Sequence, residues 1–228
     1  MRVLLEKTII RTMKRILLIL VAACCGLQTY AQNEVGRWTI IPKVGLNWAK
    51  TTDPEIYMAG TGDNDGKVKV ETRTGLALGV EAEYQWKGQV SLSAGLVYSQ
   101  QGSRWADAEN VWKNYETKVD YLNVPILLNL YLMPGFAVKA GIQPALRVHN
   151  KTTFDEILPT GITQRTSSGD ADFKTLELGI PIGASYAMGP VQLDLRYNIG
   201  LTYMRKHGEY FPDKNRVLQL TVGYRFEL

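Results

Sequence analysis

Apolar and polar residues alternate with a period of two along most of the chain from Trp38 onward. This period is typical of β-strands that have one apolar and one polar face. In the last run, for example, Leu218, Leu220 and Val222 alternate with Gln219 and Thr221. The alternation predicts eight strands, over residues 38–48, 72–86, 89–100, 117–132, 136–149, 173–187, 191–203 and 216–228.

The connections between these strands are alternately short and long. The short ones, at 87–88, 133–135 and 188–190, contain Gly or Pro and are typical of tight turns. The long ones are polar and cover residues 50–71, 102–116, 150–172 and 204–215. An up-and-down meander with both termini at its short-turn end has this layout, and eight such strands close naturally into a barrel without unpaired edges.

Periodicity alone leaves two alternatives for the apolar face. A secreted lipocalin-like barrel turns it inward around a ligand, whereas a membrane barrel turns it outward against lipid. The opposite row is rich in glycine, and about six large apolar side chains per strand would overfill so small an interior. Aromatic residues also gather near the ends of the apolar row, as in membrane-interface girdles: Trp38, Trp48, Tyr84, Trp86, Tyr98, Phe136, Tyr186, Tyr203, Tyr224 and Phe226.

The sequence therefore predicts an all-β protein, an eight-stranded antiparallel up-and-down transmembrane β-barrel with short periplasmic turns and four long extracellular loops. Four prolines lie inside predicted strands, where the missing N–H interrupts hydrogen bonding. We expect each to mark a bulge, a local opening or a position near the rim: Pro42, Pro125, Pro144 and Pro181.

The polar row carries charges of both signs, which the barrel would bring together in its lumen. Two interpretations follow: a closed interior filled by paired side chains, which the narrow lumen of eight strands favours, or a narrow ion path. The predicted lumen charge network consists of Lys43, Arg73, Glu81, Glu83, Lys139, Arg147, Glu177, Asp194, Arg196, Arg225 and Glu227.

Residues 1–31 resemble a cleaved signal peptide, with an apolar run after Met13-Lys14-Arg15 and a small-x-small site ending at Ala31. Met13 is an alternative start, and a lipobox-like sequence makes a lipid anchor at Cys24 the second alternative. The leader holds five of the 26 basic and one of the 22 acidic residues, so the barrel domain, 32–228, has no net charge. This balance argues against nucleic acid as a partner.

The segment Tyr121-Leu122-Asn123-Val124-Pro125-Ile126-Leu127-Leu128 and the ending Gly223-Tyr224-Arg225-Phe226 resemble the PorT-type outer-membrane β-barrel family of the Bacteroidota. The resemblance implies an integral outer-membrane protein that contacts lipid and the outer-membrane assembly machinery. It also implies that secretion-system or surface partners are to be considered, because some relatives take part in protein secretion. It brings no catalytic residues.

Few residues suggest chemistry, and we expect neither an enzyme nor a cofactor. Residues 63–66 resemble only a fragment of a calcium loop, so a turn-rich loop tip is the favoured interpretation. His149 and His207 near the long-loop end are the only support for a barrel enzyme. An aromatic-basic cluster in the second long loop has two alternatives, a binding surface for glycan or protein or a mere extension of the strands: Arg104, Trp105, Trp112, Lys113 and Tyr115.

Overall fold

The computed structural model describes residues 34–52, 56–57, 67–107, 112–158, 161–167, 174–204 and 213–228. No helix in this part of the chain is long and apolar enough to cross a membrane. The described strands are β1 (Trp38–Thr51), β2 (Ile56–Tyr57), β3 (Lys67–Val68), β4 (Val70–Lys87), β5 (Val90–Trp105), β6 (Trp112–Asn123), β7 (Ile126–Met133), β8 (Phe136–Leu158), β9 (Gly161–Ser167), β10 (Leu176–Met188), β11 (Val191–Tyr203), β12 (Lys214–Tyr224) and β13 (Phe226–Glu227).

The main sheet is antiparallel and closes on itself. β1 pairs with β4 on one side and with β12 on the other, which joins the first strand to the last. β6 and β7 share one place between β5 and β8, and β13 continues β12 along β1. The ring therefore has eight places, as the alternation predicts: β1, β4, β5, β6 with β7, β8, β10, β11, and β12 with β13.

The strands extend further at the long-loop end than the sequence predicts. β5 continues to Trp105 and β6 begins at Trp112, so much of the expected loop 102–116 is strand. β8 continues to Leu158 and pairs with β9, which turns part of 150–172 into a projecting hairpin. The sequence hides these extensions because, beyond the apolar band, both faces of a strand carry polar residues.

Each of the four prolines lies at an interruption of strand pairing, as expected. Pro125 occupies the gap between β6 and β7, where its carbonyl accepts a bond from the Gly95 N–H (3.1 Å). Pro144 faces the same gap and accepts from the Val124 N–H (2.8 Å). Pairing is likewise skipped beside Pro42, between β12 and β13, and beside Pro181, on the β8 side of β10. The barrel thus accommodates a missing N–H by local openings.

The two rows of side chains have opposite polarity. Outward residues are apolar and open, with Leu78 60% exposed, whereas inward residues are mainly polar and enclosed, with Glu81 1% exposed. A few inward residues, such as Ile41, Val97 and Leu127, are apolar and buried. An apolar exterior around a polar interior is the reverse of a water-soluble domain and is typical of a barrel surrounded by lipid.

Several inward glycines permit close approach of neighbouring strands. A Cβ at Gly141 on β8 would overlap the carbonyl oxygen of Ile126 and lie 2.9 Å from the Cα of Leu127, both on β7. A Cβ at Gly179 on β10 would instead find its nearest atom, the carbonyl oxygen of Ile199, at 3.4 Å. Gly141 therefore allows β7 and β8 to approach closely where the sheet coils, as glycine kinks do in barrels. This requirement is separate from the space that a glycine leaves free in the lumen.

We expect Gly141→Ala to destabilise the folded barrel by about 1–3 kcal/mol, because the new methyl group collides with backbone that has no rotamer to change. The measurement is the urea midpoint at which the compact, heat-modifiable gel band is lost. Gly179→Ala is the matched control and should leave that midpoint nearly unchanged. Equal midpoints for the two variants would contradict the close approach at Gly141.

Candidate functional site

Five charged side chains from four strands meet at the centre of the barrel and form what we call the central ion cluster: Lys43, Glu81, Lys139, Asp194 and Arg196. Arg196 Nη1 and Nη2 donate to Glu81 Oε1 and Oε2 at 2.5 and 2.7 Å, and Nη2 also donates to Asp194 Oδ2 at 2.7 Å. The Lys43 ammonium lies 2.7 Å from Glu81 Oε2, and that of Lys139 lies 2.9 Å from Asp194 Oδ2. Every member is buried.

The central ion cluster crosses the lumen. Arg196 on β11 reaches Glu81 on β4, although β12 and β1 lie between those two strands in the ring. Three cations share two carboxylates, so each carboxylate oxygen has a cationic partner while the cluster retains one positive charge. Such an arrangement is stable because each buried charge has a partner of opposite sign within 2.9 Å, and because Lys139 and Arg196 also donate hydrogen bonds.

A second polar layer closes the short-turn side of the lumen. The Glu83 carboxylate accepts from the hydroxyl groups of Ser91 (2.6 Å) and Tyr131. Arg225 Nη1 donates to Gln192 Oε1 at 2.7 Å and lies 3.4 Å from Glu83 Oε2. These bonds join β4, β5, β7, β11 and the segment after β12.

A third layer, mostly uncharged, lies on the long-loop side of the central ion cluster. Tyr121 donates its hydroxyl to Glu177, and Asn215 donates to Gln101. A cavity of about 20 Å³ opens between Gln101, Asn123, Gln143, Glu177, Asn198 and Asn215. This volume suits about one water molecule, and the polar walls supply the partners that a buried water needs.

At the long-loop rim, charged and aromatic groups tie the strand extensions together. Arg73 donates to Glu116 at 2.8 Å, and Arg104 and Lys118 lie 3.6 and 3.3 Å from the same carboxylate. Above them, Trp105 and Trp112 are only 6% and 8% exposed and form one cluster with Val70, Ala106, Tyr115 and Phe154.

This aromatic cluster favours the strand-extension alternative for the second long loop. The rings of Tyr115 and Phe154 stack with centroids 5.2 Å apart, which joins β6 to β8. Sequence reasoning missed Phe154, because it follows the polar run 150–153 and no alternation marks it. A ligand-binding role for Trp105, Trp112 and Tyr115 stays a prediction, although both indole rings are largely enclosed.

Ten of the eleven predicted lumen charges are buried inside the barrel. Glu227 is the exception and corrects the sequence-based assignment, because its side chain is exposed. It pairs with the enclosed Thr39 on β1, but it lies beyond Arg225, whose N–H already meets the carbonyl of Pro190 in the short turn 189–190, so β11 does not extend alongside it. Arg147 is held near the other end by Asn150 Oδ1 (2.7 Å) and the carbonyl of Lys174 (3.1 Å).

The ten residues of the predicted aromatic girdle are all exposed or half-buried. Two pairs are in ring contact at the short-turn end, Trp38 with Tyr84 and Tyr224 with Phe226, at centroid distances of 4.9 and 4.6 Å. Trp48 and Tyr203 lie towards the long-loop end of their strands, whereas Tyr98 lies near the middle of β5, opposite Leu78. Two aromatic levels thus border the outward apolar row, as expected of a barrel that spans a membrane.

Other sequence-based candidates are placed only in part. His149 is exposed on β8. His207, the calcium-loop fragment 63–66 and the predicted leader 1–31 lie outside the described residues. Across the described ranges, no group of three or more His, Cys, Asp and Glu is arranged to hold a metal ion.

Residues 30–205 match a family model described as "Outer membrane protein beta-barrel domain". Solved structures similar to this chain include the attachment invasion locus protein Ail of Yersinia pestis, which is 13% identical, with a TM-score of 0.46 over 84% of this chain and 99% of Ail. Neisserial surface protein A is 16% identical, with a TM-score of 0.43 over 82% of this chain and 95% of its own. OprG of Pseudomonas aeruginosa is 16% identical, with a TM-score of 0.39 over 86% of this chain and 99% of its own. Comparison with curated proteins gave no match.

Proposed function

The chain belongs to the outer membrane protein β-barrel domain family and is located in the bacterial outer membrane, and from this premise we propose that it is a closed barrel acting through its long-loop end. The observation that carries the proposal is the central ion cluster, in which Arg196 and Glu81 bridge the lumen between non-adjacent strands. The layer around Glu83 adds a second barrier. An ion entering the lumen would have to break several buried charge-assisted bonds.

The same proposal assigns an orientation. Small outer-membrane barrels have short turns in the periplasm and longer loops outside the cell. In this chain the short turns are 88–89, 134–135 and 189–190, and the projecting β8–β9 hairpin is at the other end. We therefore assign the rim around Trp105 and Trp112, together with the hairpin, to the extracellular side.

Conductance in planar lipid bilayers tests the closed lumen. The barrel with its natural residues is expected to give negligible current. The double variant Arg196→Ala with Glu81→Ala removes one cation and one anion, so it keeps the net charge while it opens the middle of the lumen. It should conduct measurably, whereas steady ion-sized openings of the unsubstituted barrel would contradict the proposal.

A narrow channel is the second candidate, and the polar cavity beside Glu177 is the observation that favours it. Together with the polar residues above and below it, this cavity could form part of a water-filled path. A channel of this kind should change its cation-to-anion selectivity when Glu81→Gln or Arg147→Gln removes a lumen charge. Selectivity that is indifferent to both substitutions would count against a path past these residues.

Partners form the second part of the proposal. The outward Tyr224 and Phe226 support recognition of the last strand by the outer-membrane assembly machinery, and the resemblance to PorT-type barrels supports an accessory role in secretion.

Pull-down from outer membranes tests the accessory role in secretion. The control is a variant in which a two-residue Asn-Gly turn replaces residues 157–162 of the β8–β9 hairpin. A secretion component captured equally by both forms would not bind through the tip of the hairpin, and failure to capture any would remove the secretion role.

A further inference from the structure

We propose that the barrel carries an outward-facing binding site for the phosphate groups of lipid headgroups at the long-loop end. The site, which we call the cationic belt, consists of Tyr203, of Lys174 and Lys214 beside its ring, and of the neighbouring pair Lys50 and Arg216. It goes beyond the closed-lumen proposal and uses only its orientation, which turns the belt towards the outer leaflet.

Strand register brings the five residues of the cationic belt together. Lys50 on β1 lies directly opposite Arg216 on β12, and Lys214, two residues earlier on β12, lies opposite Tyr203 on β11. The ammonium groups of Lys214 and Lys174 are 5.2 and 5.9 Å from the centre of the Tyr203 ring. Cations from β1, β12 and the segment just before β10 thus lie side by side along the rim.

The cationic belt faces outward, immediately beyond the apolar band. The inward residues alternating with it, Ala49, Asn215 and Val217, are buried, so Lys50, Lys214 and Arg216 must point away from the lumen. The next outward residues towards the membrane are apolar: Leu218 on β12, Leu201 on β11 and Leu176 on β10. This is the level at which lipid headgroups meet the barrel.

Among the described residues, no carboxylate balances the charges of the belt. Like charges directly opposite one another on paired strands destabilise a sheet, and Lys50 with Arg216 is such a pair. In the described part of the chain, none of the four cations forms an ion pair with a carboxylate. On the other side of the ring, by contrast, Arg73, Arg104 and Lys118 all surround Glu116.

An external anion would relieve this repulsion, and the surroundings favour one attached to lipid. Phosphate suits clustered Lys and Arg side chains because its oxygens accept several charge-assisted bonds at once. The adjoining leucines would contact the acyl chains of the same molecule, and Tyr203 has an apolar ring with a polar tip suited to the interface. Free phosphate would gain nothing from those neighbours.

Spin-labelled lipids test the cationic belt directly. With the barrel in phosphatidylcholine bilayers, the relative association constant of spin-labelled phosphatidic acid, which bears a phosphate monoester, is measured against that of phosphatidylcholine. We expect the barrel with its natural residues to prefer the phosphatidic acid severalfold. Each neutralised cation should lower the preference by about fivefold at most, so Lys50→Gln with Arg216→Gln should bring it close to unity.

The matched control is Arg104→Gln with Lys118→Gln, which removes two cations from the same end of the barrel but from beside Glu116. This control should retain the preference of the unsubstituted barrel. Lys174→Gln with Lys214→Gln provides a second test pair that leaves the β1–β12 pairing untouched, and heat-modifiable migration confirms folding of each variant.

Three outcomes would overturn the cationic belt. They are no preference in the unsubstituted barrel, equal losses in the test and control pairs, or a preference abolished by millimolar inorganic phosphate, which would indicate a site for the free ion. None of these outcomes depends on conductance. A barrel that conducts but keeps its lipid preference would refute the closed lumen alone, and a closed barrel without the preference would refute the belt alone.

Discussion

Replacing Arg196 with methionine is expected to lower the free energy of unfolding by about 3–5 kcal/mol. The methionine fills a similar volume, but it removes the guanidinium that binds Glu81 through two bonds and Asp194 through Nη2 and Nε. Both carboxylates are almost completely buried, so water cannot replace the lost partner. The measurement is equilibrium unfolding of the barrel in lipid vesicles by urea, followed by tryptophan fluorescence.

Arg165→Met is the matched control for this prediction. Arg165 also donates to a carboxylate, that of Glu156, at 2.7 Å, but both side chains are partly open to solvent on the β8–β9 hairpin. Exposed ion pairs contribute roughly 0–1 kcal/mol. A small effect at Arg196, comparable with that at Arg165, would mean that water reaches the central ion cluster and that the lumen is wetter than its contacts imply.

Leu78→Arg is expected to cost about 2–4 kcal/mol in the same unfolding experiment, because it places a charge on the lipid-facing surface between the two aromatic levels. Leu78 is paired with Val44 and Tyr98 on neighbouring strands, and its side chain is directed outward. Leu195→Arg, on the opposite part of the ring, should behave similarly.

Leu132→Arg supplies the depth control. Leu132 is also outward and exposed, but it lies beside the short turn 134–135, where an arginine reaches the headgroups. The cost there should fall to about 0–1 kcal/mol. If Leu78→Arg and Leu132→Arg lower the free energy of unfolding equally, the cost of an outward arginine would not depend on its depth in the membrane.

Most of the ring can be predicted from the sequence because period-two alternation specifies both a strand and its faces. Wherever lipid is on one side and a narrow lumen on the other, a shift of one residue would exchange the two environments, so the pattern is strict. Above the apolar band this constraint ends. The extensions that contain Trp112 and residues 150–158 are consequently not evident in the sequence, although they form strands.

The same period-two alternation predicts which charged side chains point inward, but it does not identify their partners. The bond between Arg196 and Glu81 depends on the stagger of strands that are not adjacent, and no local pattern records that stagger. Tyr121 and Tyr131 alternate with the outward Leu122, Leu130 and Leu132 and so have the parity of the polar row, yet nothing in the sequence shows that they bind Glu177 and Glu83. Glu227 shows the limit of the alternation, because a side chain that is directed inward is enclosed only within the length of the barrel.

Nuclear Overhauser contacts between lipid acyl chains and protein methyl groups, recorded in nanodiscs with methyl-labelled protein, test the orientation of the two rows without any substitution. We expect cross-peaks from acyl methylene protons to the outward methyl groups of Leu78, Leu128 and Leu195, and none to the inward methyl groups of Ile41, Val97 and Leu127. Cross-peaks to the second set in place of the first would contradict the barrel described here, since lipid would then contact the face that we assign to the lumen.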